Sequence, residues 1–245
     1  MKSVKQKAPG DRRRDALANV ERAVVQLLKL GGRGVLVPGG YILTAAHCVD
    51  WDHSGGMVLG EYYHEKVKTA DGQTLVLSVL AVEPVADIAV LGEPDNQEFY
   101  DEAEAFEQFT KLTRPVPLFR DKMKPFDRHR QPSPGAYSVS VRVLNQDRSW
   151  LKATAQVTSH DDPTVCLDAD QFIDGGASGG PIVTADGKLV AIVSNCGRTV
   201  GSTPLNGVKR GFRQFQFVGN APRPLTALPV WMSSAIKRVD VKRSR

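Results

Sequence analysis

Short apolar runs with a period of two, separated by glycine-containing turns, recur through the first half of the chain. Alternation with this period places successive side chains on opposite faces of a strand, whereas a helix would need a period near 3.6. Pairs such as Gly39-Gly40 and Asp71-Gly72 are typical of tight hairpin turns. The predicted strands are Ala23–Leu30, Gly34–Val37, Tyr41–Thr44, Met57–Leu59, Glu61–Thr69, Thr74–Val82 and Ile88–Leu91.

An acidic stretch from Glu93 to Gln108 interrupts this alternation and is predicted to be a connector that is in part helical. A second set of strands follows, at Ala136–Leu144, Trp150–Thr158, Val165–Leu167, Pro181–Thr184, Leu189–Ser194 and Arg213–Val218, with Asp186-Gly187 as another tight turn. Apolar residues at helical spacing predict a C-terminal helix at Leu228–Val239. Many short strands with regular turns predict a sandwich or a barrel.

We divide the chain into a charged extension (1–22), a first β unit (23–112) and a second β unit that includes the C-terminal helix (113–245). Residues Arg13–Val25 have the pattern of a short amphipathic helix. The net charge of +5 is concentrated at the two ends of the chain, as in solvated tails. Basic residues do not alternate with aromatic ones, so we expect no nucleic-acid partner.

No stretch approaches the roughly 18 apolar residues of a membrane-spanning helix, so no membrane association is expected. The first apolar run contains Gln26 and Lys29 and is too short for an export signal. Three widely spaced cysteines (Cys48, Cys166 and Cys196) form neither a disulfide framework nor a zinc pattern. We therefore expect free thiols, a cytoplasmic location, and no metal or other cofactor.

One serine is surrounded by glycines, in the run Asp174-Gly175-Gly176-Ala177-Ser178-Gly179-Gly180-Pro181. Glycine permits backbone conformations that expose a hydroxyl and direct several N–H groups toward one point. The amides of Gly176 and Ser178 could then stabilise a developing oxyanion. The alternative is an ordinary glycine-rich turn between strands.

Two further segments supply the groups that a nucleophilic serine needs. His47 lies in the run Thr44–Cys48, just after a predicted strand, and histidine titrates near neutral pH, as a general base must. Asp87 lies between Ala86 and the apolar run Ile88–Leu91, where a partly buried carboxylate needs a partner. Orienting a histidine would provide that partner. Either residue taken alone is better explained by a structural role.

The order histidine, aspartate, serine and the residues around each of them resemble the trypsin/chymotrypsin clan of serine proteases. The runs Thr44–Cys48, Asp87–Ala89 and Gly176–Pro181 are similar to the clan's three motifs, and the resemblance extends over about residues 23–217. It implies an all-β fold of two six-stranded antiparallel barrels with a short C-terminal helix. It also implies a serine endopeptidase that acts on protein or peptide substrates.

The same resemblance implies a role for each matching residue. Ser178 would be the nucleophile, His47 the general base and Asp87 the residue that orients the histidine, with the Gly176 and Ser178 amides as the oxyanion hole. Ser194 matches a serine that supports the acid and lies beside the substrate backbone.

The clan's specificity pocket maps onto a short list of residues. Phe172, six residues before the nucleophile, would form an apolar base, so we expect small or medium apolar side chains before the cleaved bond. Asp174 is the alternative, because it could accept a basic side chain. Cys196 stands where the family often has glycine and would narrow the pocket.

The chain also departs from the digestive and clotting members of the clan. Cys48 matches a disulfide-bonded cysteine, yet no cysteine precedes it. Ala177 stands where those enzymes have the aspartate that pairs with a newly cut amino terminus, so cleavage within residues 1–22 is predicted to be unnecessary. The runs Leu75–Leu91 and Asp170–Asp174 look more like bacterial HtrA-type and related peptidases, without a following PDZ domain.

Two other functions remain open. A catalytically silent binding protein on a protease fold would usually lack a triad residue or the oxyanion glycines, and this chain has them all. A serine esterase would usually have a nucleophile elbow on an α/β fold, which does not fit this strand-rich pattern. A regulatory partner protein is plausible from the family alone.

Overall fold

The structure is a computed structural model of the 245-residue chain. It describes residues 9–50, 64–83, 87–95, 97–119, 138–157, 164–169, 173, 176–194 and 211–217. Two predicted elements, the strand Met57–Leu59 and the C-terminal helix Leu228–Val239, lie outside these residues.

The first six strands form a closed antiparallel barrel with the order β1-β2-β3-β6-β5-β4. Buried side chains recur along every one of these strands, as expected for a sheet that closes around an apolar interior. Closure is completed by β1, which pairs with both β2 and β4. The strands are β1 (Val24–Leu27), β2 (Arg33–Val37), β3 (Tyr41–Thr44), β4 (His64–Lys68), β5 (Thr74–Glu83) and β6 (Ile88–Gly92).

The remaining six strands form a second closed antiparallel barrel with the order β10-β11-β12-β9-β8-β7. They are β7 (Ser138–Leu144), β8 (Trp150–Val157), β9 (Thr164–Ala169), β10 (Pro181–Thr184), β11 (Leu189–Val193) and β12 (Gly211–Phe217). The prediction of two six-stranded antiparallel barrels is therefore confirmed.

Two helices accompany the barrels. Helix α1 (Pro9–Ala23) begins four residues before the predicted helix and ends two residues before its predicted end. It ends early because the β-branched pair Val24 and Val25 instead begins β1, where both residues pair with β2. Helix α2 (Tyr100–Leu112) begins in the predicted connector, ends four residues beyond it, and buries Ala103, Phe106 and Phe109. None of the helices described is long and apolar enough to span a bilayer.

One apolar core runs from the first barrel into the second. Besides residues of the first six strands, this cluster includes Leu144, Val183, Leu189 and Ile192 of the second barrel. A shared core of close-packed side chains fixes the relative position of the two barrels, because any sliding would open cavities. The loops that meet between the barrels are therefore held by rigid elements.

Helix α1 contacts both barrels. Its residues Val20 and Ala23 are buried in the shared core. Glu21 accepts a hydrogen bond from Trp150 Nε1 of β8 at 2.5 Å. A methyl group placed on Gly187, in the turn between β10 and β11, would lie 3.2 Å from the Ala16 side chain. The helix therefore spans the two barrels as part of the folded protein.

We accordingly expect removal of residues 1–22 to destabilise the chain without activating it. Losing the buried apolar side chains of α1 should lower the thermal unfolding midpoint by roughly 5 °C or more. The measurement is calorimetry and peptide hydrolysis on the intact chain, with its first residue verified by mass spectrometry, and on the shortened chain. A chain lacking only residues 1–8 keeps α1 and is the matched control. An intact chain that is inert until it is cut near Arg22 would contradict this prediction.

Candidate active site

His47 lies in a single 3-10 turn, Ala46–Cys48, that is separated from the end of β3 by one residue. The turn buries its first and last residues, and this leaves the His47 side chain 46% exposed between them. Cys48 is a free, buried thiol. The apolar neighbours of the histidine thus anchor the turn in the core while the imidazole faces outward.

Asp87 immediately precedes β6, which pairs with β3 in the register Thr44 opposite Ala89. This pairing brings the residues beyond the end of β3 next to those before the start of β6, and so joins His47 to Asp87. The His47 Nδ1 atom lies 2.9 and 3.1 Å from the two carboxylate oxygens, and the His47 backbone N–H donates to Asp87 Oδ1 at 3.1 Å. Asp87 has φ 51°, a left-handed conformation that aspartate tolerates better than most residues.

Ser194, which follows β11 of the second barrel, donates a hydrogen bond from Oγ to Asp87 Oδ2. The serine is buried, so this bond crosses between the barrels in a protected environment. Asp87 thus has hydrogen-bond partners from both barrels. Sequence separation between these two residues is large, and only barrel packing brings them together.

The electrostatics of the pair favour a charged histidine. The hydrogen bond to Asp87, supported by the neighbouring Cys48, raises the pKa of His47 above 6.5, although partial burial acts in the opposite direction. Burial alone would raise the pKa of Asp87, but hydrogen bonds from His47 and Ser194 outweigh it and lower that pKa below 3.8. An imidazolium at this position is therefore stabilised by its carboxylate partner.

Ser178 lies in a tight loop just before β10. The loop is tied to its own barrel by bonds from Gly179 N to Val193 O at 2.7 Å and from Val193 N to Gly180 O at 2.8 Å, and it is closed internally by the bond from Gly180 N to Ala177 O at 2.9 Å. It is tied to the first barrel by the bond from Arg33 N to Ser178 O at 2.8 Å. The loop that carries the serine is thus held from both sides.

The Ser178 loop lies against the segment that carries the histidine. A methyl group placed on Gly32 would lie 2.5 Å from Cys48 Sγ and 3.0 Å from Ser178 O. Both Ser178 and His47 are described residues, and the structure forms no hydrogen bond between their side chains. Hydrogen bonds of this type are commonly long before substrate binds. Ser178 itself is half-buried.

Gly176 and Gly179 have φ values of 83° and 72°, in the left-handed region that favours glycine. Among the hydrogen bonds of the described residues, none uses the backbone N–H of Gly176 or Ser178 as its donor. These two amides are the pair that the sequence predicted as an oxyanion hole. Ala177, between them, is fully buried.

Gly179→Ala is expected to disrupt this loop. An added methyl group would lie 2.0 Å from Arg33 O and 2.4 Å from Thr44 Oγ1, in a backbone conformation that alanine rarely adopts. Because the first clash is with backbone, the loop must move, and we expect kcat to fall by at least roughly 100-fold. The measurement is peptide hydrolysis beside a circular dichroism spectrum. Gly10→Ala, where an added methyl group meets nothing within 4 Å, is the control.

An unchanged kcat in Gly179→Ala would show that the backbone geometry of the Ser178 loop does not govern the reaction.

Three predicted pocket residues, Phe172, Asp174 and Cys196, lie outside the described residues, as does the side chain of Cys166. Arg33 is a residue that the sequence analysis missed. The sequence around Arg33 contained a signal for such a role, because this charged residue stands between Gly32 and Gly34 at the start of an otherwise apolar strand. Within the described part of the chain, no group of three or more acidic, histidine or cysteine side chains is placed to hold a metal ion.

Comparisons with known proteins place these features in context. The family model for the trypsin-like peptidase domain matches residues 32–192. A search of curated proteins finds no match.

Solved structures of similar fold include the inactive form of the Rv3671c protease of M. tuberculosis, with a TM-score of 0.50 and 16% identity. That match covers 93% of this chain and 100% of the other. A serine endoprotease from Yersinia pestis matches with a TM-score of 0.52 and 19% identity, over 96% of this chain and 68% of the other. At these identities the likeness is one of fold.

Proposed function

Because this chain belongs to the family of trypsin-like peptidase domains, we propose that it is a serine endopeptidase working through an acyl-enzyme intermediate. The observation that carries the proposal is the hydrogen-bonded chain from His47 through Asp87 to Ser194. It joins the two barrels beside the loop that presents Ser178. Each of these residues has the chemistry that peptide-bond hydrolysis requires.

In the proposed reaction, Ser178 Oγ attacks the carbonyl carbon of the substrate while His47 takes the hydroxyl proton at Nε2. Asp87 accepts from Nδ1–H, which keeps Nε2 free to act as the base and stabilises the imidazolium that forms. His47 then gives its proton to the leaving amine, and the C–N bond breaks. Water, deprotonated in turn by His47, attacks the resulting ester; the C–O bond to Ser178 breaks, and His47 returns the proton to Ser178 Oγ as the acid product leaves.

The negative charge on the carbonyl oxygen would be held by the Gly176 and Ser178 amides. Backbone donors already fixed in place need no reorganisation as the charge develops, which makes this one of the larger contributions to such reactions. The left-handed conformation of Gly176 and the bonds that hold the Ser178 loop support this assignment.

We propose protein or peptide substrates, with a small or medium apolar side chain before the cleaved bond because of Phe172. Mapping of cleavage sites in a proteome-derived peptide library by mass spectrometry tests this preference. Cleavage mainly after Arg or Lys would favour Asp174 as the specificity residue instead.

A fluorophosphonate probe tests the function itself, since such probes react with an activated serine. We expect labelling of the wild-type chain and none of Ser178→Ala. Wild-type chain that is folded but unlabelled, and that does not cleave casein, would instead indicate a binding protein on a protease fold. Hydrolysis of simple esters without casein cleavage would indicate an esterase.

A further inference from the structure

Arg33 reaches the Ser178 loop through its backbone. It is the first residue of β2, and it is only 9% exposed. Its N–H donates to Ser178 O at 2.8 Å, and its carbonyl accepts from Thr44 Oγ1 at 2.6 Å. The main chain of this arginine is thus fixed between β3 and the loop that carries the serine.

The side chain of Arg33 continues into the second barrel. A methyl group placed on Gly180 would lie 3.6 Å from Arg33 Cδ, so the aliphatic stem passes beside the loop. The guanidinium then donates to three successive carbonyls at the end of β7, those of Leu144 at 3.2 Å, Asn145 at 2.7 Å and Gln146 at 2.8 Å. These carbonyls lie more than 100 residues away along the chain.

The segment held by Arg33 is itself a tight turn between β7 and β8. Asn145 N donates to Ser149 O at 2.9 Å and Arg148 N donates to Asn145 O at 3.0 Å. Asp147 Oδ1 accepts from both the N–H and the hydroxyl of Ser149. A turn with this many internal bonds moves as one body, so holding its carbonyls fixes its backbone and the position from which each side chain starts.

Gln146 of this turn lies over the oxyanion loop. A methyl group placed on Gly176 would lie 3.3 Å from Gln146 Nε2 and 3.4 Å from its Cδ. The side chain of Gln146 is therefore next to the Cα atom of Gly176. Contacts of Arg33 thus bracket the loop, through the Ser178 carbonyl on one side and through Gln146 on the other.

An arginine is suited to this position for physical reasons. Burial lowers the pKa of Arg33, with the nearby Arg148 acting in the same direction. The guanidinium remains a cation all the same, and its planar fork can bond several carbonyls at once. A lysine at this site would keep the charge but would have a single ammonium to share among them. The planar shape of the guanidinium, and not its charge alone, therefore allows it to bond these three carbonyls.

We propose that Arg33 is a positioning residue that holds the Gly176 and Ser178 amides in their oxyanion-binding arrangement. This inference rests on the proposed peptidase function. Ala177 is buried and uncharged, so it offers no partner for a cut amino terminus. Arg33 supplies the corresponding restraint from the first barrel, without any cleavage.

The test compares Arg33→Lys with wild type, using the full chain, a peptide substrate taken from its cleavage map and a peptide boronic acid. Boronic acids form a tetrahedral adduct with the serine and need the oxyanion donors. We expect Arg33→Lys to lower kcat by roughly 10- to 100-fold with KM within about threefold, and to weaken boronate binding by a similar factor. Arg142→Lys is the matched control, since within the described part of the chain the Arg142 guanidinium donates only to the carbonyl of its neighbour Val141 in β7.

Gln146→Ala leaves the arginine in place and should reproduce part of the loss in kcat. The double variant should lose less than the product of the two single losses, because both act on one loop. If Arg33→Lys fails to fold, Gln146→Ala still tests the proposal.

Unchanged kcat and boronate affinity in a folded Arg33→Lys would overturn the positioning role, as would an unchanged kcat in Gln146→Ala. In both cases a wild-type chain that reacts with a fluorophosphonate leaves the peptidase function intact. A wild-type chain that neither reacts nor turns over would overturn the peptidase function and the positioning role with it.

Discussion

Replacing Ser178 or His47 by alanine is expected to lower kcat for peptide hydrolysis by roughly five orders of magnitude. Without the hydroxyl no acyl-enzyme can form, and without the imidazole nothing removes its proton. The two groups act as one unit, so the double variant should be little worse than either single variant. Steady-state kinetics with a fluorogenic peptide, together with fluorophosphonate labelling, provide the measurement.

Ser140, an exposed serine of β7, offers the matched control, and Ser140→Ala should retain wild-type activity. Losses that simply multiply in the double variant would show that Ser178 and His47 do not work in the same step. A Ser178→Ala chain that still reacts with the probe would point to another nucleophile.

Asp87→Asn is expected to lower kcat by roughly four orders of magnitude at neutral pH. The carboxylate accepts a hydrogen bond from His47 Nδ1–H, whereas an amide can donate to Nδ1 and leave the imidazole proton on Nε2, where the base is needed. Thermal stability measured alongside would separate this loss from misfolding. Ser194→Ala, which removes one hydrogen bond to Asp87 but keeps the charge, should have a much smaller effect.

The pH dependence of kcat/KM provides a second test of Asp87→Asn. His47 can act as a base only when neutral, and Asp87 raises its pKa, so wild-type kcat/KM should rise as pH increases through that raised pKa. Removing the carboxylate lowers the pKa of His47 and should move the ascending limb of the residual activity to lower pH. A limb that stays in place or moves upward would contradict the role given to Asp87.

Much of the fold could be predicted from the sequence because its determinants are local. A period of two fixes which side chains face the interior, and glycine-containing turns such as Asp186-Gly187 end the strands. These patterns predicted a sandwich or a barrel, the family resemblance predicted two barrels, and the structure confirms them. The limits of α1 were harder to predict, since Val24 and Val25 suit either a helix face or a strand until β2 is present to pair with them.

The residues of the site could be named from three motifs, because glycines around a serine and an acid before an apolar strand are local patterns. The sequence by itself therefore determined the strand pattern, the order of the motifs and the candidate chemistry. Only the tertiary structure decided which groups meet. Ser194 donates to Asp87, helix α1 contacts both barrels, and the Arg33 side chain donates to the turn at 144–146. These contacts join segments more than 100 residues apart, and they exist only once two closed barrels pack on a shared core, which no local pattern encodes.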